Sequence, residues 1–204
     1  MDNNLFIDVA RNDGILYMAY YLPQFHKPTI LSPNELDEFS CDISFIGTWS
    51  KRREDFIESL IDIRNVKIFG GGWHRASSKL KKFIEFRAPV FSNDMAKVIA
   101  ASKININILT HENRDTTNCR NFEILACKGF QLSEGSEDLL SIFNNKKDLA
   151  VFYTPKELYD NCKYYLENEL DRETIRVNGY TKVINGNHKM SDRANQIIST
   201  LFNK

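Results

Sequence analysis

From Cys41 onward, short apolar runs alternate along the chain with segments of helical periodicity. A parallel strand is followed by a crossover helix before the next strand begins, so this alternation is typical of βα units. It predicts an α/β domain built around a mostly parallel sheet. The expected strands cover residues 42–47, 66–69, 104–109, 130–132 and 149–153.

The predicted helices lie between these strands and at the C-terminal end of the chain. Ser50 and Thr154 each precede a helical segment, and both are residue types that cap helices. Pro155 and Glu157 complete a capping-box pattern at the second of these helices. Another helix begins near Asn93. The chain is therefore predicted to form a doubly wound, Rossmann-like parallel sheet with helices at its C-terminal end.

The first 40 residues lack this alternation. They have poor periodicity and contain Pro23, Pro28 and Pro33, which break helices and favour extended chain. We interpret residues 1–40 as a linker-like segment and residues 41–204 as one folded domain.

Charge and apolar content exclude several classes of protein. The chain has 27 basic and 27 acidic residues, so it lacks the broad positive field that nucleic-acid-binding proteins use. No apolar run reaches the roughly 18–20 residues that a membrane span needs, and the N-terminus does not resemble a signal peptide. The sequence therefore predicts a cytoplasmic protein.

Two further features limit the partners of the chain. A basic run between Arg75 and Lys82 is compatible with a solvated helix face, an anionic acceptor or, at most, peripheral membrane contact. The four cysteines form no Cys-x-x-Cys pair, so neither a metal site nor a disulfide scaffold is expected.

Two glycine-containing turns follow predicted strands at the edge where open parallel sheets bind ligands. Gly47 and Thr48 follow the first strand, and glycine there lets backbone amides approach a phosphate; a tight turn without a ligand fits equally well. Gly70 begins a run of three glycines before Trp73, which leaves room for a flat ligand such as a nucleobase. The alternative is a flexible turn in which Trp73 covers the core.

The densest polar cluster, residues 118–123, begins with Asn118 at the start of a helix predicted near 119–127. Arg120 and Glu123 are three residues apart and share a helix face. In one interpretation, the helix amides and Arg120 face a diphosphate while Glu123 accepts two hydrogen bonds from a ribose diol. The other interpretation is a surface ion pair, which contributes little to stability. Lys103 is either a further cation for the phosphates or a solvated lysine.

Together, these segments resemble the C-terminal domain of CgeB-like glycosyltransferases, which are spore-maturation relatives of the GT-B enzymes with two Rossmann-like halves. The similarity covers roughly residues 15–204. The matching segments are 41–48 (CDISFIGT), 68–70 (IFG) with Trp73, 101–107 (ASKININ) and, most specifically, 120–127 (RNFEILAC) followed by Gly129. Asn178, Gly179, Tyr180, His188 and Arg193 extend the similarity towards the end of the chain.

The resemblance implies roles for the matching residues. Glu123 would hold the ribose of a sugar nucleotide and Arg120 the neighbouring phosphate or sugar, which makes these two the candidate catalytic residues. The two glycine turns would lie beside the phosphates and the base. Because the nucleotide-sugar is a substrate, no cofactor is expected. The candidate donor-binding residues are Gly47, Thr48, Gly70, Trp73, Lys103, Asn118 and Glu123.

Two departures from the family pattern affect the functional expectation. Lys128 stands where family members often carry glycine, and the acceptor-binding N-terminal half does not precede Cys41. We therefore expect the donor-binding half of a glycosyltransferase that works with a separately encoded N-terminal acceptor domain. The alternative is a non-catalytic nucleotide-sugar-binding or scaffold module in surface-polysaccharide or spore-coat synthesis.

Overall fold

The computed structural model of the protein describes residues 31–113 and 115–202, which contain a six-stranded parallel sheet. Its strands are β1 (Cys41–Ile46), β2 (Val66–Phe69), β3 (Glu85–Arg87), β4 (Ser102–Asn107), β5 (Gln131–Glu134) and β6 (Ala150–Phe152). The order across the sheet is β3-β2-β1-β4-β5-β6. The chain thus winds outward from β1 in one direction and then from β4 in the other, which confirms the predicted doubly wound sheet.

Helices cover both faces of this sheet. They are α1 (Pro33–Phe39), α2 (Lys51–Glu58), α3 (Leu80–Phe83), α4 (Ser92–Ala101), α5 (Cys119–Ala126), α6 (Glu137–Ile142), α7 (Pro155–Glu167), α8 (Glu169–Asn185) and α9 (Met190–Phe202). On one face, α2 and α7 pack with β1, β4 and β5 in the largest hydrophobic cluster. On the other face, α1 and α4 lie over β1 and β2, while α5 and α8 lie over β5 and β6.

The strands form where apolar residues are buried on both faces of the sheet. Every residue of β2 and β6 is buried, which explains why short, largely apolar runs marked these strands in the sequence; the Nζ of Lys67 in β2 donates to the Glu38 carbonyl oxygen. β4 begins two residues before its predicted start and ends at Asn107. β3 was not predicted, because it is a three-residue edge strand whose Glu85 and Arg87 are exposed and form an ion pair.

The N-terminal segment differs from its prediction as extended chain. Residues 33–39 form α1, in which Pro33 occupies the first turn and Ser32 and Glu35 form a capping box. Phe39 is buried against Phe69 and Val98, so this helix packs on the sheet. Pro23 and Pro28 lie outside the described residues.

Local signals at the helix ends are largely confirmed. The Ser50 and Thr154 side chains accept hydrogen bonds from the backbone amides of Arg53 and Glu157. The Glu157 carboxylate, however, accepts from the Tyr153 amide at 2.7 Å, one residue before the position that a capping box uses. At the end of α5, Lys128 has φ 60°, a left-handed conformation that glycine adopts without strain. This conformation would suit the glycine that the resemblance leads us to expect there.

Candidate functional site

A cleft of about 570 Å³ opens at the carboxyl edge of the sheet, across β1, β2 and β4. Its floor is formed by the turns after β1 and β2, including Gly47, Thr48 and Gly70, and one wall by the start of α5. This is the edge, and the reversal point of the strand order, at which doubly wound sheets bind ligands. The structure therefore brings together most of the predicted site residues.

The start of α5 is fixed by a network of amide side chains. Asn118 caps the helix and accepts a hydrogen bond from the Asn121 amide, while Asn121 reciprocates in a capping box. Asn107, at the end of β4, donates to Asn118 Oδ1 at 3.0 Å, and Ser133 accepts from Asn121 at 2.9 Å. The first helical turn, which leaves its amides without intrahelical partners, is therefore held at the cleft.

Arg120 and Glu123 project from this helix into the cleft and form an ion pair, with Nη1 2.8 Å from Oε2. The ion pair agrees with one of the two interpretations, but it is not a surface pair, because the Glu123 residue is only 5% exposed. Burial raises the pKa of the Glu123 carboxyl, and the positive charge of Arg120 opposes that rise. A desolvated carboxylate thus faces the ligand space.

The turns after β1 and β2 are in direct contact. A Cβ atom added at Gly70 would lie 1.9 Å from the carbonyl oxygen of Gly47, so no side chain fits at this position. Trp73 is 3% exposed, and its indole Nε1 donates to the same Gly47 oxygen at 2.9 Å. Its ring packs against Phe45 in the core and does not line the cleft. The prediction that Trp73 lies beside the base is therefore corrected: it supports the Gly47 turn from beneath.

Lys103 also lies away from the cleft. It is the second residue of β4 and pairs with Asp42 at 2.7 Å, close to the amino ends of the central strands. Four residues of extended chain, about 13 Å, separate it from Asn107 at the ligand edge. The prediction of a phosphate-binding Lys103 fails because this lysine lies near the start of β4, whereas the cleft lies at the carboxyl ends of the strands.

Arg53 was missed by the sequence analysis. It extends from the first turn of α2 into the cleft lining, where it donates to the carbonyl oxygens of Thr48 and Ile108 at 3.0–3.1 Å. Burial, with repulsion from Arg120 and Arg52, lowers its pKa to about 10. The available signal was its position three residues after the Ser50 cap, which places it in the first helical turn beside the Gly47 turn.

Within 31–113 and 115–202, no three histidine, cysteine, aspartate or glutamate side chains gather into a group that could hold a metal ion. No helix in this part of the chain is both long enough and apolar enough to cross a bilayer.

Comparison with solved structures identifies the fold. HepE from Anabaena, solved in complex with UDP, superposes with a TM-score of 0.71 at 12% identity, over 91% of this chain and 56% of HepE. A glycosyltransferase from Rickettsia africae gives a TM-score of 0.66 at 14% identity, over 91% of this chain and 56% of that one. The C-terminal domain of the glycosyltransferase LpcC from Francisella tularensis gives 0.60 at 15% identity, over 78% of this chain and 94% of that domain.

These comparisons show a Rossmann-like domain of the kind found as the C-terminal half of GT-B glycosyltransferases. The chain spans only slightly more than half the length of HepE and of the Rickettsia enzyme. No curated protein shows significant sequence similarity to it. The model of the family described as "Glycosyl transferase-like" matches residues 52–199, which is well over half of the chain. The chain therefore belongs to the glycosyl transferase-like family.

Proposed function

We propose that this chain binds the nucleotide diphosphate-sugar donor of a glycosyl transfer reaction. The observation that carries the proposal is the meeting, in one cleft, of the start of α5, the Gly47 turn and the buried Glu123 carboxylate. Helix amides and a glycine turn suit the phosphates, while a carboxylate suits the vicinal hydroxyls of a ribose. HepE was also solved with UDP-glucose, which supports a uridine nucleotide as the first ligand to test.

The cationic groups of the cleft suit the chemistry of the leaving group. Glycosyl transfer releases a nucleoside diphosphate, and negative charge grows on the bridging oxygen as the glycosidic bond breaks. Arg120 and the amides at the start of α5 would stabilise that charge in a partly buried site. Arg53 would act through the Thr48 carbonyl that it holds, keeping the β1 turn in place beside the phosphates.

We further propose that the enzyme belongs to the CgeB-like branch and works in the cytoplasm. We also propose that a separately encoded domain, equivalent to the N-terminal half of a GT-B enzyme, presents the acceptor. The chain spans only 56% of the length of HepE, and the proposal assigns the presentation of the acceptor to a second domain. Enclosure and orientation of both substrates supply much of the rate of a bimolecular transfer. We therefore expect donor binding by this chain alone and efficient transfer only with its partner domain.

Saturating UDP-glucose or a guanosine diphosphate-sugar is expected to raise the melting temperature. At a ligand concentration about 100 times Kd, binding adds about 2.7 kcal/mol, which corresponds to roughly 5–11 °C for a chain of this size. Differential scanning fluorimetry across a panel of nucleotide sugars measures this shift, with free glucose as the control. An unchanged melting curve with every member of the panel would contradict donor binding. Stabilisation without sugar transfer when the partner domain is present would favour the non-catalytic module.

The affinity for UDP-glucose is expected to fall as the pH is lowered through the raised pKa of Glu123. The protonated carboxyl loses acceptor capacity for the ribose hydroxyls, and the loss begins above the pH at which an ordinary glutamate titrates, about 4.3. Titration calorimetry between pH 8 and 5 measures it. Arg120→Met removes the charge that opposes the rise in pKa, so the fall should move to higher pH. An affinity independent of pH would argue against contact between Glu123 and the donor.

A further inference from the structure

One part of the cleft lining is apolar. Pro89, Val90 and Phe91, in the loop between β3 and α4, line it together with Met95. Phe91 is 66% exposed, whereas Phe69, the other aromatic residue in the lining, is 3% exposed. Among the cleft residues that the structure describes, Phe91 alone therefore presents an open aromatic ring. Exposing this apolar ring to water is unfavourable, and a flat ligand that stacked on it would bury it.

The exposed position of Phe91 is built into the loop. The preceding residue, Val90, is anchored among the apolar residues beneath α4, including Met95 and Val98. The following residue, Ser92, has φ 48°, a left-handed conformation that costs roughly 1–2 kcal/mol for a residue other than glycine. The Phe91 carbonyl accepts a hydrogen bond from the Asp94 amide at 3.1 Å, which joins the loop to the first turn of α4. An extended Phe91 followed by a left-handed Ser92 thus marks the point where the loop enters α4, and strained residues of this kind cluster at ligand sites.

The ring lies close to the Glu123 end of the cleft. Met95 follows Phe91 by four residues, about one helical turn, and its Sδ atom contacts the Arg120 guanidinium. Arg120 in turn pairs with Glu123 at 2.8 Å. Phe91 and the carboxylate therefore flank the same stretch of the cleft. A ribose held by Glu123 would direct its base towards Phe91 and its phosphates towards the start of α5 and the Gly47 turn.

The floor beside the ring includes Gly71, whose backbone carries no side chain. A Cβ atom added there would come no closer than 4.0 Å to its nearest neighbour, Pro89 Cγ. The lining around Phe91 is apolar, whereas the three side chains of the lining that carry a full charge, Arg53, Arg120 and Glu123, belong to α2 and α5. The cleft thus has an apolar part that carries an aromatic ring and a charged part that adjoins it.

We propose that Phe91 is the stacking platform for the nucleobase of the donor and makes this cleft select nucleotides over other diphosphates. The inference rests on the proposed donor binding and assigns to Phe91 the aromatic contact that the sequence analysis assigned to Trp73. Stacking on an aromatic side chain accepts any base, because every base has a π face. The ring therefore selects for the presence of a base, and the identity of the base is set by other contacts.

Calorimetric titration of the full chain with UDP, GDP and inorganic pyrophosphate tests the proposal. Phe91→Ala is expected to raise the Kd of the tighter-binding nucleotide roughly 10- to 100-fold, because base stacking is lost, and to leave pyrophosphate binding unchanged. Phe91→Trp should retain nucleotide binding, because it keeps an aromatic face. Phe83→Ala is the matched control, since Phe83 is 57% exposed and lies outside the cleft lining.

The outcomes separate the inference from the function beneath it. Nucleotide binding that is indifferent to Phe91→Ala, or an equal loss of pyrophosphate binding, overturns the role of Phe91 while donor binding stands. A wild-type chain that binds neither UDP nor GDP removes the proposed donor binding, and the inference with it. Melting curves without ligand should be alike for all variants, because both phenylalanine rings are mostly exposed.

Discussion

Replacing Glu123 with glutamine is expected to weaken UDP-glucose binding at least about 100-fold and to abolish the thermal shift. The amide loses the charge and one of the two acceptors that a ribose diol needs. Hydrogen bonds to charged groups contribute about 1.5–3 kcal/mol each and neutral ones about 0.5–1.5 kcal/mol, so losing one bond and the charge on the other acceptor costs about 3 kcal/mol. Glu123→Ala should abolish binding in the same way. The Kd from calorimetry and the melting temperature with and without ligand measure both effects.

The same substitution should make the ligand-free protein more stable at neutral pH. Burial raises the folded-state pKa of Glu123, so the ionised carboxylate is less favourable in the folded chain than in the unfolded one. This destabilisation is absent below the unfolded-state pKa and grows as the pH rises through the folded-state value. Glu123→Gln should therefore raise the melting temperature at pH 8 and change it little near pH 4. A substitution that keeps or raises the stability of the fold while it removes ligand binding indicates that the residue serves binding.

Glu54 provides the matched control. It is also buried, at 3% exposure, but it lies outside the cleft and accepts hydrogen bonds from Trp49 Nε1 and the Ser77 amide. Burial by itself raises its pKa, yet these hydrogen bonds outweigh the burial and lower it. The ionised form therefore stabilises the fold above that pKa, so Glu54→Gln should lower the melting temperature and preserve the UDP-glucose shift. If both variants lose the shift equally, Glu123 acts through the fold and not through the donor.

Local sequence patterns predicted those parts of the fold where a residue type is compatible with only one kind of local structure. Short, largely apolar runs marked β2 and β6, because both strands are buried on both faces. Ser50 and Thr154 marked helix starts through hydrogen bonds that span only three residues. Pro33 misled, because proline is compatible with both extended chain and the first turn of a helix. The Ser32–Glu35 capping box, which distinguishes the two, was visible in the sequence.

The site was predictable only where position along the chain determines position in the sheet. Residues directly after β1 and β2, and at the start of α5, must lie at the carboxyl edge, so Gly47, Gly70 and Glu123 were placed there correctly. The direction of a side chain depends on contacts that are distant in sequence. The Trp73 indole donates to the carbonyl oxygen of Gly47, 26 residues earlier, whereas Phe91 stays 66% exposed in the cleft lining. No sequence pattern within a few residues of either ring predicts its orientation.

The contact between the two glycine turns provides the second large effect. The turn after β2 crosses directly over the turn after β1, and the Gly47 amide donates to the Phe69 carbonyl at 2.9 Å. The Gly47 oxygen lies where a Gly70 side chain would begin and is also the acceptor for Trp73. The Gly47 oxygen is therefore enclosed between the Gly70 backbone and the buried Trp73 indole and cannot shift by itself to make room for a side chain. The arrangement of the two turns that form the floor of the cleft therefore requires glycine, with no Cβ atom, at position 70.

Gly70→Ala is accordingly expected to destabilise the chain by about 3 kcal/mol, lowering its melting temperature by roughly 6–12 °C, and to impair donor binding. The added Cβ would lie 1.9 Å from the Gly47 oxygen, so the β1 turn must move away from the start of α5. Gly71→Ala is the control one residue along, because its Cβ meets nothing closer than 4.0 Å and its φ is not left-handed. It should change stability by less than about 0.5 kcal/mol. Equal melting temperatures for the two variants would show that the turns are not in contact. If Gly70→Ala lost stability but still bound the donor, the β1 turn would not hold the phosphates.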